Sequence, residues 1–577
     1  MKRSFPLILF LLATACASSV RQPAPPVHVV VVGTTDVHGW FNGHVETPPG
    51  GGEGVLWGGL PALASYVEAL RDENQGRVVL VDSGDMFQGT LESNIFEGEA
   101  VVKGYNVLGY AAAAVGNHEF DFGPVGPEAI PRKPGDDPLG ALKRNADLAM
   151  FPMLSANMVE KSSGRTPPWA KRYIMVRSGG ARIGIIGLST PDTPNVTMGV
   201  NVAGLDFTDP IPATVEAARE LRAQGADAII VIAHIGGRCT KMDEPHSLES
   251  CDRNAEAMHY LEKIPPGTID AFFAGHTHSN MGHYVNGIPA VQGLAMSREF
   301  STVDLWVDTE NNRVTKSEIR PHTMICSFVY EGTSQCDPRT APKGAKLVPR
   351  VFGGQTIAPD VRTASVIQPY LRRVAAKRDE KLGIRADALF TRDYSAESPL
   401  GDLLADVMRR SSGADVAIMN SGGIRSELPR GDLTYGDVFA VSPFDNYPAM
   451  VIMTGAQLVE LLRNTTTGAR GIMQVSGVKY TFDAGRKGLD RFVGATLADG
   501  SPIDPEKMYS VIMPDFVAFG GDGADTVMNQ IPKDRVTIFY AAPIRDVVIE
   551  ELKKLEGKPL EPSTDGRITV LNPPKHE

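Results

Sequence analysis

The sequence predicts an α/β fold in two domains. Two observations carry this reading. Short apolar runs alternate with helix-like stretches along the chain, and 577 residues are more than one ordinary hydrophobic core organises. A third observation points to a function. Polar residues of metal-binding type follow directly on several apolar runs, where α/β sheets place their ligands.

The first region, 27–337, holds six such runs: "VHVVVVG" (27–33), "RVVLVDSGD" (77–85), "AAAAVGN" (111–117), "ARIGIIGL" (181–188), "DAIIVIAHIG" (227–236) and "IDAFFAGHTH" (269–278). Helices are expected between them, as at 59–72 and 208–224. Apolar runs separated by helices read as buried strands of an α/β architecture. "GHYVNGIPAVQG" and "VDLWVD" read as antiparallel additions, so a second, mixed sheet in a sandwich is expected. Residues 338–360, rich in Pro, Gly and basic side chains, read as a connection. A helix is expected from 363 to about 382, with Val366, Ile367, Tyr370, Leu371 and Val374 on one face. Together 338–383 form a linker and bridging helix. In 384–577 the helix "LGDLLADVMRRSSG" and the strands "DVAIMNSGG", "AMVIMTG" and "YSVIMPDF" make a second α/β domain.

A hydrophobic content of 42% with 22% charged residues is ordinary for a soluble globular protein. The formal charge of −11 argues against a nucleic-acid polymer as partner, because such binders carry basic stripes. Small phosphorylated substrates, held by local charges, stay open. At the N-terminus Lys2 and Arg3 precede an apolar run from Phe5 to Leu12 and small residues ending at Cys16. That is the layout of an export signal (1–15), too short for a stable membrane span. Ala13, Thr14 and Ala15 resemble a bacterial lipobox, which predicts cleavage before Cys16, lipidation of its thiol and a tether over 16–26. The alternative is a soluble exported chain, since leucine is more usual where Ala13 stands. The expectation is a periplasmic or cell-envelope lipoprotein of a bacterium, a monomer or dimer that touches the membrane only through its lipid. Four further cysteines suggest bridges in an oxidising compartment. Of the three pairings, the short loops Cys239–Cys251 and Cys326–Cys336 are expected; the competing reading makes Cys239, near His234, a metal ligand.

The strand ends deliver Asp36 and His38 in "TTDVHG", Asp85 in "DSGD", Asn117 and His118 in "GNHEFD", His234 in "IAHIGG", and His276 and His278 in "GHTHS". Singly, each has a plain structural reading, as a turn cap or a packed histidine. Jointly they do not, because random placement of 12 histidines would not gather five at strand ends. Two divalent cations about 3.5–4 Å apart repel, and a shared carboxylate offsets that repulsion and sets the spacing. Asp85 is the candidate bridge. Nitrogen and oxygen donors without thiolate suit Mn, Fe, Co or Zn better than an all-oxygen cage would.

The motifs "TDVHGW", "DSGDMFQG", "AVGNHEFDFG", "VIAHIGG" and "GHTHS", in this order, resemble the calcineurin-like metallophosphoesterases. "MNSGGIRSELPRGDLTYGDVFAVSPFDN" and "FVAFGGDGADT" narrow the resemblance to the 5′-nucleotidase and UDP-sugar hydrolase family, over nearly all of the mature chain. The resemblance implies a four-layer αββα sandwich followed by an α/β substrate-binding domain. It implies two divalent metal ions, one on Asp36, His38 and His278, the other on Asn117, His234 and His276, with Asp85 shared. Gln or Asn often stands in the family where this chain has His278. It makes His118 and Asp121 a catalytic dyad, with Glu119 and Phe120 facing elsewhere. It puts Asn420, Gly423, Arg425, Phe444, Asn446, Phe516 and Asp522 around a nucleoside. A further phosphate-binding arginine of the family is replaced by Tyr394, with Arg392 two residues away. The implied activity is release of phosphate from nucleoside 5′-phosphates by in-line attack of a metal-bound hydroxide. Alternatives are hydrolysis of UDP-sugars, 2′,3′-cyclic nucleotides or sulfur compounds on the same scaffold and, more remotely, a non-enzymatic nucleotide-binding lipoprotein.

Overall fold

Alternation along the strands sets the layers of the first domain. In the strand Val27–Thr34, Val29 and Val31 point to one side and Val30 and Val32 to the other, and all four are buried. Burial on both faces requires a layer above and a layer below. A computed structural model, which describes residues 24–46, 54–341, 344–468, 470–555 and 558–573, supplies them. The export signal and Cys16 lie outside the described residues. Among the described residues no helix is long and apolar enough to cross a membrane.

One six-stranded sheet runs in the order Arg313–Met324, Glu299–Asp308, Val27–Thr34, Val78–Asp82, Ala112–Ala114, Met153–Leu154. Its last four strands are parallel, and Glu299–Asp308 joins Val27–Thr34 antiparallel. The second six-stranded sheet runs Met281–Val285, Ile288–Gln292, Ala271–Phe273, Ala228–His234, Ala181–Ser189, Tyr173–Ser178. It is parallel at its centre with an antiparallel strand at each edge. Val29, Val31, Val79 and Val81 meet Ile183, Ile185, Ile230 and Ile232 between the sheets. The outer faces pack on helices. Leu60–Glu73 and Glu99–Leu108 cover the first sheet, and Pro210–Ala223 and Glu256–Lys263 cover the second. The result is the αββα sandwich that the resemblance implied.

The helix expected from 363 to about 382 is Val361–Arg378, and Leu382 belongs instead to the strand Lys381–Ala386. Asp360 caps its start, accepting from the Thr363 backbone N–H. Ile367 and Tyr370 enter the first domain's core, and the Tyr370 hydroxyl donates to Glu99 (2.6 Å). Near its other end Lys377 lies over the ring of Tyr435, in the C-terminal region. The helix thus touches both halves.

Beyond it a five-stranded mixed sheet runs Met473–Ser476, Val416–Asn420, Met508–Pro514, Pro448–Thr454, Val536–Ile538. Helices Pro399–Ser412 and Ile544–Lys553 cover one face. Gly455–Thr465 and a three-stranded sheet cover the other. Ser398 caps the first of these helices, and Thr454 forms a capping box with Gln457 at the start of Gly455–Thr465. Cys239 is bonded to Cys251 and Cys326 to Cys336, so no thiolate is available near His234.

The two sheets meet tightly at Gly187, where a Cβ would overlap Leu154, backbone included. A carbonyl cannot yield as a side-chain tip can. Gly187→Ala is expected to destabilise the fold by roughly 1–3 kcal/mol, read as a lower Tm with unchanged far-UV circular dichroism at room temperature.

Candidate metal centre and substrate cavity

The parallel strands of both sheets end at the same edge, and the chain there takes a costly conformation. Among the described residues thirteen non-glycine positions have positive φ, and six of them are predicted site residues: Asp36, His38, Asp85, His276, His278 and Asp522. Left-handed backbone at such residues costs of order 1–3 kcal/mol each and persists where surrounding structure fixes it. Here the fixing is by backbone pairing across the turns. Asp36 N–H donates to Gly84 O and His38 N–H to Asp85 O, both at 2.9 Å.

Hydrogen bonds behind the ligand-type residues set which atoms face inward. His38 Nδ1 donates to Gln88 O (2.8 Å) and His234 Nδ1 to Ser83 O (2.9 Å). Each ring therefore turns its Nε2 toward the centre. Asn117 Nδ2 donates to Val196 O (2.9 Å), which turns its Oδ1 inward. Asp85 Oδ1 accepts from the His118 backbone N–H (2.9 Å), so Oδ2 projects between the two histidines. Oδ2 lies 3.0 Å from His234 Nε2 and 3.7 Å from His38 Nε2. His234 Nε2 is also 3.0 Å from Asn117 Oδ1, and His38 Nε2 is 2.9 Å from His278 Nε2. Asp36 Oδ1 is 3.4 Å from His278 Nε2.

These atoms are electron-pair donors turned toward one another with little hydrogen between them. Such a set is stable only around positive charge, and its nitrogen and oxygen composition fits transition-type divalent cations. Two groups of donors lie close enough to hold an ion each: Asp36, His38, Asp85 and His278, and Asp85, His234 and His276. Asp85 is in both. The electrostatics show the same demand for positive charge: burial works to lower the His234 pKa, but Asp85 beside it pushes it up to about 10. Burial alone would raise the Asp36 and Asp85 carboxyls, but His278 beside the first and His234 beside the second hold them well below the usual range. Burial pushes His276 down to about 4, keeping its ring neutral.

His118 stands beside this centre. Its Nδ1 is 2.6 Å from Asp121 Oδ2, and Asp121 Oδ1 accepts from Thr197 Oγ1 (2.8 Å). Burial works to lower the His118 pKa, but Asp121 and Asp85 outweigh it and the net shift is upward. Thr197, which fixes the Asp121 carboxylate, is a residue the sequence reading missed.

Glu119 is the correction. Expected to face elsewhere, it is buried beneath Asp85, and its carboxylate accepts from three backbone N–H groups: Asp85 (2.9 Å), Gly116 (2.6 Å) and Met86 (2.7 Å). It ties the "DSGDMF" and "GNHE" turns together. The signal was a carboxylate inside a turn that otherwise supplies ligands.

A cavity of about 1580 Å³ opens from this edge, lined by Asp85, Asn117, His118, Asp121, His276 and His278 on one side. Asp36, His38 and His234 lie buried behind it. The other side carries all seven residues expected around a nucleoside: Asn420, Gly423, Arg425, Phe444, Asn446, Phe516 and Asp522. Arg425 Nη2 donates to His38 Nε2 (3.0 Å), reaching from the second domain into the first. Asn420 Nδ2 donates to Asp522 Oδ2 (2.7 Å), and Asn446 Nδ2 to Asp515 Oδ1 (3.0 Å). Phe444 lies beside the His118 ring (5.5 Å between centroids), and Phe516 packs against Gly521, next to Asp522. Arg392 and Tyr394 line the same cavity and are exposed to solvent. Across its mouth Arg470 Nη2 meets both oxygens of Asp192 (2.6 and 2.8 Å).

Comparison with known proteins agrees with this arrangement. Residues 29–280 match the calcineurin-like phosphoesterase family, and residues 376–530 match the 5′-nucleotidase C-terminal domain. The two matches follow one another along the chain. It is 26% identical over 588 residues to the protein UshA of Escherichia coli, covering 96% of each chain. It is 27% identical over 559 residues to the endonuclease YhcR of Bacillus subtilis, covering 95% of this chain but only 42% of that longer protein. Among solved structures, a 5′-nucleotidase precursor from Thermus thermophilus superposes with a TM-score of 0.75 at 25% identity, over 95% of this chain and 100% of that one.

Replacing Glu119 by Gln exchanges an acceptor for a donor opposite a buried N–H. At roughly 1–3 kcal/mol for such a group, Glu119→Gln is expected to loosen the Asp85 turn. The expected outcome is at least a tenfold loss of phosphoesterase turnover with reduced bound metal by elemental analysis, in a chain that still folds.

Proposed function

We propose that this protein is an exported, metal-dependent phosphohydrolase that releases phosphate from nucleoside 5′-phosphates. The observation that carries the reading is the single cavity joining His118, His276 and His278 to Phe444, Phe516 and Asp522. A phosphoester at the histidine end would leave its nucleoside in reach of the second domain.

In this reading Asp36, His38 and His278 hold one divalent cation, Asn117, His234 and His276 hold the other, and Asp85 serves both. When bound, the cations supply Lewis-acid activation of the phosphoryl group and of water. The chain supplies the rest. Arg425, with its guanidinium 3.0 Å from His38 Nε2, is placed to pair with a phosphoryl oxygen, and Arg392 supplies a second positive charge in place of the arginine lost at Tyr394. His118 carries a proton on Nε2 and delivers it to the departing ester oxygen, while Asp121 holds Nδ1–H and favours the charged ring. Asp522, one oxygen already accepting from Asn420, offers the other to a ribose hydroxyl. Phe444 and Phe516 offer ring faces to a base. Export rests on the N-terminal segment, with Cys16 as the lipid attachment point.

His118→Asn separates acid catalysis from metal binding. A nitrophenolate leaves without a proton and a ribose alkoxide does not. Turnover of AMP should therefore fall at least tenfold more than turnover of p-nitrophenyl phosphate; equal losses would assign His118 to structure.

The substrate class is tested by phosphate release from AMP, UDP-glucose, 2′,3′-cyclic AMP and p-nitrophenyl phosphate with Mn, Zn, Co or Mg. AMP should give the highest kcat/KM. Stacking a base on an aromatic ring is worth about 1–3 kcal/mol, so Phe444→Ala and Phe516→Ala should each raise the KM for AMP about 10- to 100-fold and spare p-nitrophenyl phosphate. A preference for UDP-glucose or the cyclic nucleotide would move the assignment to that activity.

A further inference from the structure

Outside the cavity, three carboxylates meet where the helix Pro399–Ser412 begins. Glu397 precedes the Ser398 cap, Asp402 sits in the first turn, and Asp565 lies just before the strand Ile568–Leu571. Each offers an oxygen, and the three lie within 4.8 Å of one another. That span suits one ion: oxygens about 2.4 Å from a shared calcium-sized cation are at most about 4.8 Å apart.

Asp402 separates this group from ordinary surface acidity. It is 3% exposed, and neither carboxylate oxygen has a hydrogen-bond partner. A buried carboxylate left so is costly unless paired. Arg567 Nε is 3.5 Å from Asp402 Oδ1, but that guanidinium is engaged by Asp565 (2.9 and 3.0 Å) and Asp406 (2.8 and 3.3 Å). One guanidinium faces three carboxylates. Burial, despite Arg567, pushes the Asp402 carboxyl up to about 8, as expected of an acid short of positive charge. Glu397 is fixed independently: Oε1 accepts from the Asp565 and Gly566 N–H groups and Oε2 from Ile568 N–H. Oε2, with that one donor, keeps a lone pair for a ligand.

We propose that Glu397, Asp402 and Asp565 form a binding site for a hard divalent cation of calcium size, separate from the centre behind the cavity. The donors are all oxygen, with neither imidazole nor thiolate, which selects against the transition metals. Carboxylates from two separate segments, the helix start and the C-terminal strand, suit the adaptable shell of calcium better than the strict octahedron of magnesium. The bound ion would tie the helix start to the C-terminal strand, just downstream of Arg392 and Tyr394.

The test uses the full chain with its catalytic site saturated by Mn²⁺. Added millimolar CaCl₂ should raise the Tm of the wild type by roughly 5 °C, and calorimetric titration should give one calcium per chain. Asp402→Asn should abolish both responses and leave Mn²⁺-dependent turnover unchanged. If that variant does not fold, Asp565→Asn, altered at a side chain 58% exposed, should weaken calcium binding at least tenfold. A wild type that neither binds calcium nor gains stability would overturn the proposal and leave Asp402 and Glu397 sharing a proton. An undiminished calcium response in the variants would place the ion elsewhere and overturn it too.

Discussion

The site depends on one constraint: a carboxylate oxygen of Asp85 held, in a buried setting, between the inward-turned Nε2 atoms of His38 and His234. The strain and desolvation this requires are spread over several places. Asp36, His38, Asp85, His276 and His278 sit in left-handed backbone. Glu119 commits a buried carboxylate to three N–H groups, and the Nδ1 protons of His38 and His234 are directed to backbone carbonyls. Each device does the same thing, turning lone pairs inward and keeping protons outward. Without a cation such a centre is repulsive, so the fold holds open a place for positive charge rather than collapsing onto it.

The same charge logic joins the two domains. The metal-type residues lie wholly in the first, whereas the guanidinium nearest to them, Arg425, comes from the second. Phosphate chemistry needs both, since anionic oxygens must be neutralised on the side away from the cations. The helix Val361–Arg378 is built into the first domain's core at Ile367 and Tyr370 and reaches Tyr435 at its end. The Arg470–Asp192 pair closes the distance on the cavity's other flank, and being partly exposed it contributes little net stability. The helix side of the cavity is thus firmly built, and its other flank is held by one weak pair.

Much of this was legible in the sequence because the strands announce themselves. Runs such as 27–33 and 227–236 are apolar except at His28, Gly33, Asp227, His234 and Gly236, a pattern that strands buried on both faces need. Ligand-type residues were equally legible, because histidines and acids have no structural reason to crowd strand ends. Supporting residues were not. Glu119 and Thr197 act through a backbone amide or another side chain; Glu119 is marked only by being a carboxylate in a ligand-bearing turn, and nothing in residue type or spacing marks Thr197 until the turns are folded together. The helix end was misjudged for a similar reason: Leu382 continues the apolar spacing, but the chain turns at Asp379 to pair Lys381–Ala386 with Gly431–Thr434, a long-range contact that local periodicity does not encode.

The two donor groups are not equivalent, and the difference follows from their composition. Asp36, His38, Asp85 and His278 would bring two carboxylates to a cation, whereas Asp85, His234, His276 and the amide of Asn117 would bring one. The first group therefore attracts a divalent ion more strongly through charge. It also has the more open side, because the His278 side chain is 25% exposed while Asp36, His38 and Asp85 are nearly inaccessible. An ion held there would have its more open side at His278. An imidazole at that position offers a borderline nitrogen rather than a hard oxygen, which would favour metals such as zinc or cobalt that bind nitrogen well. Any such preference would then arise at the rim of the site rather than at the buried Asp85 carboxylate.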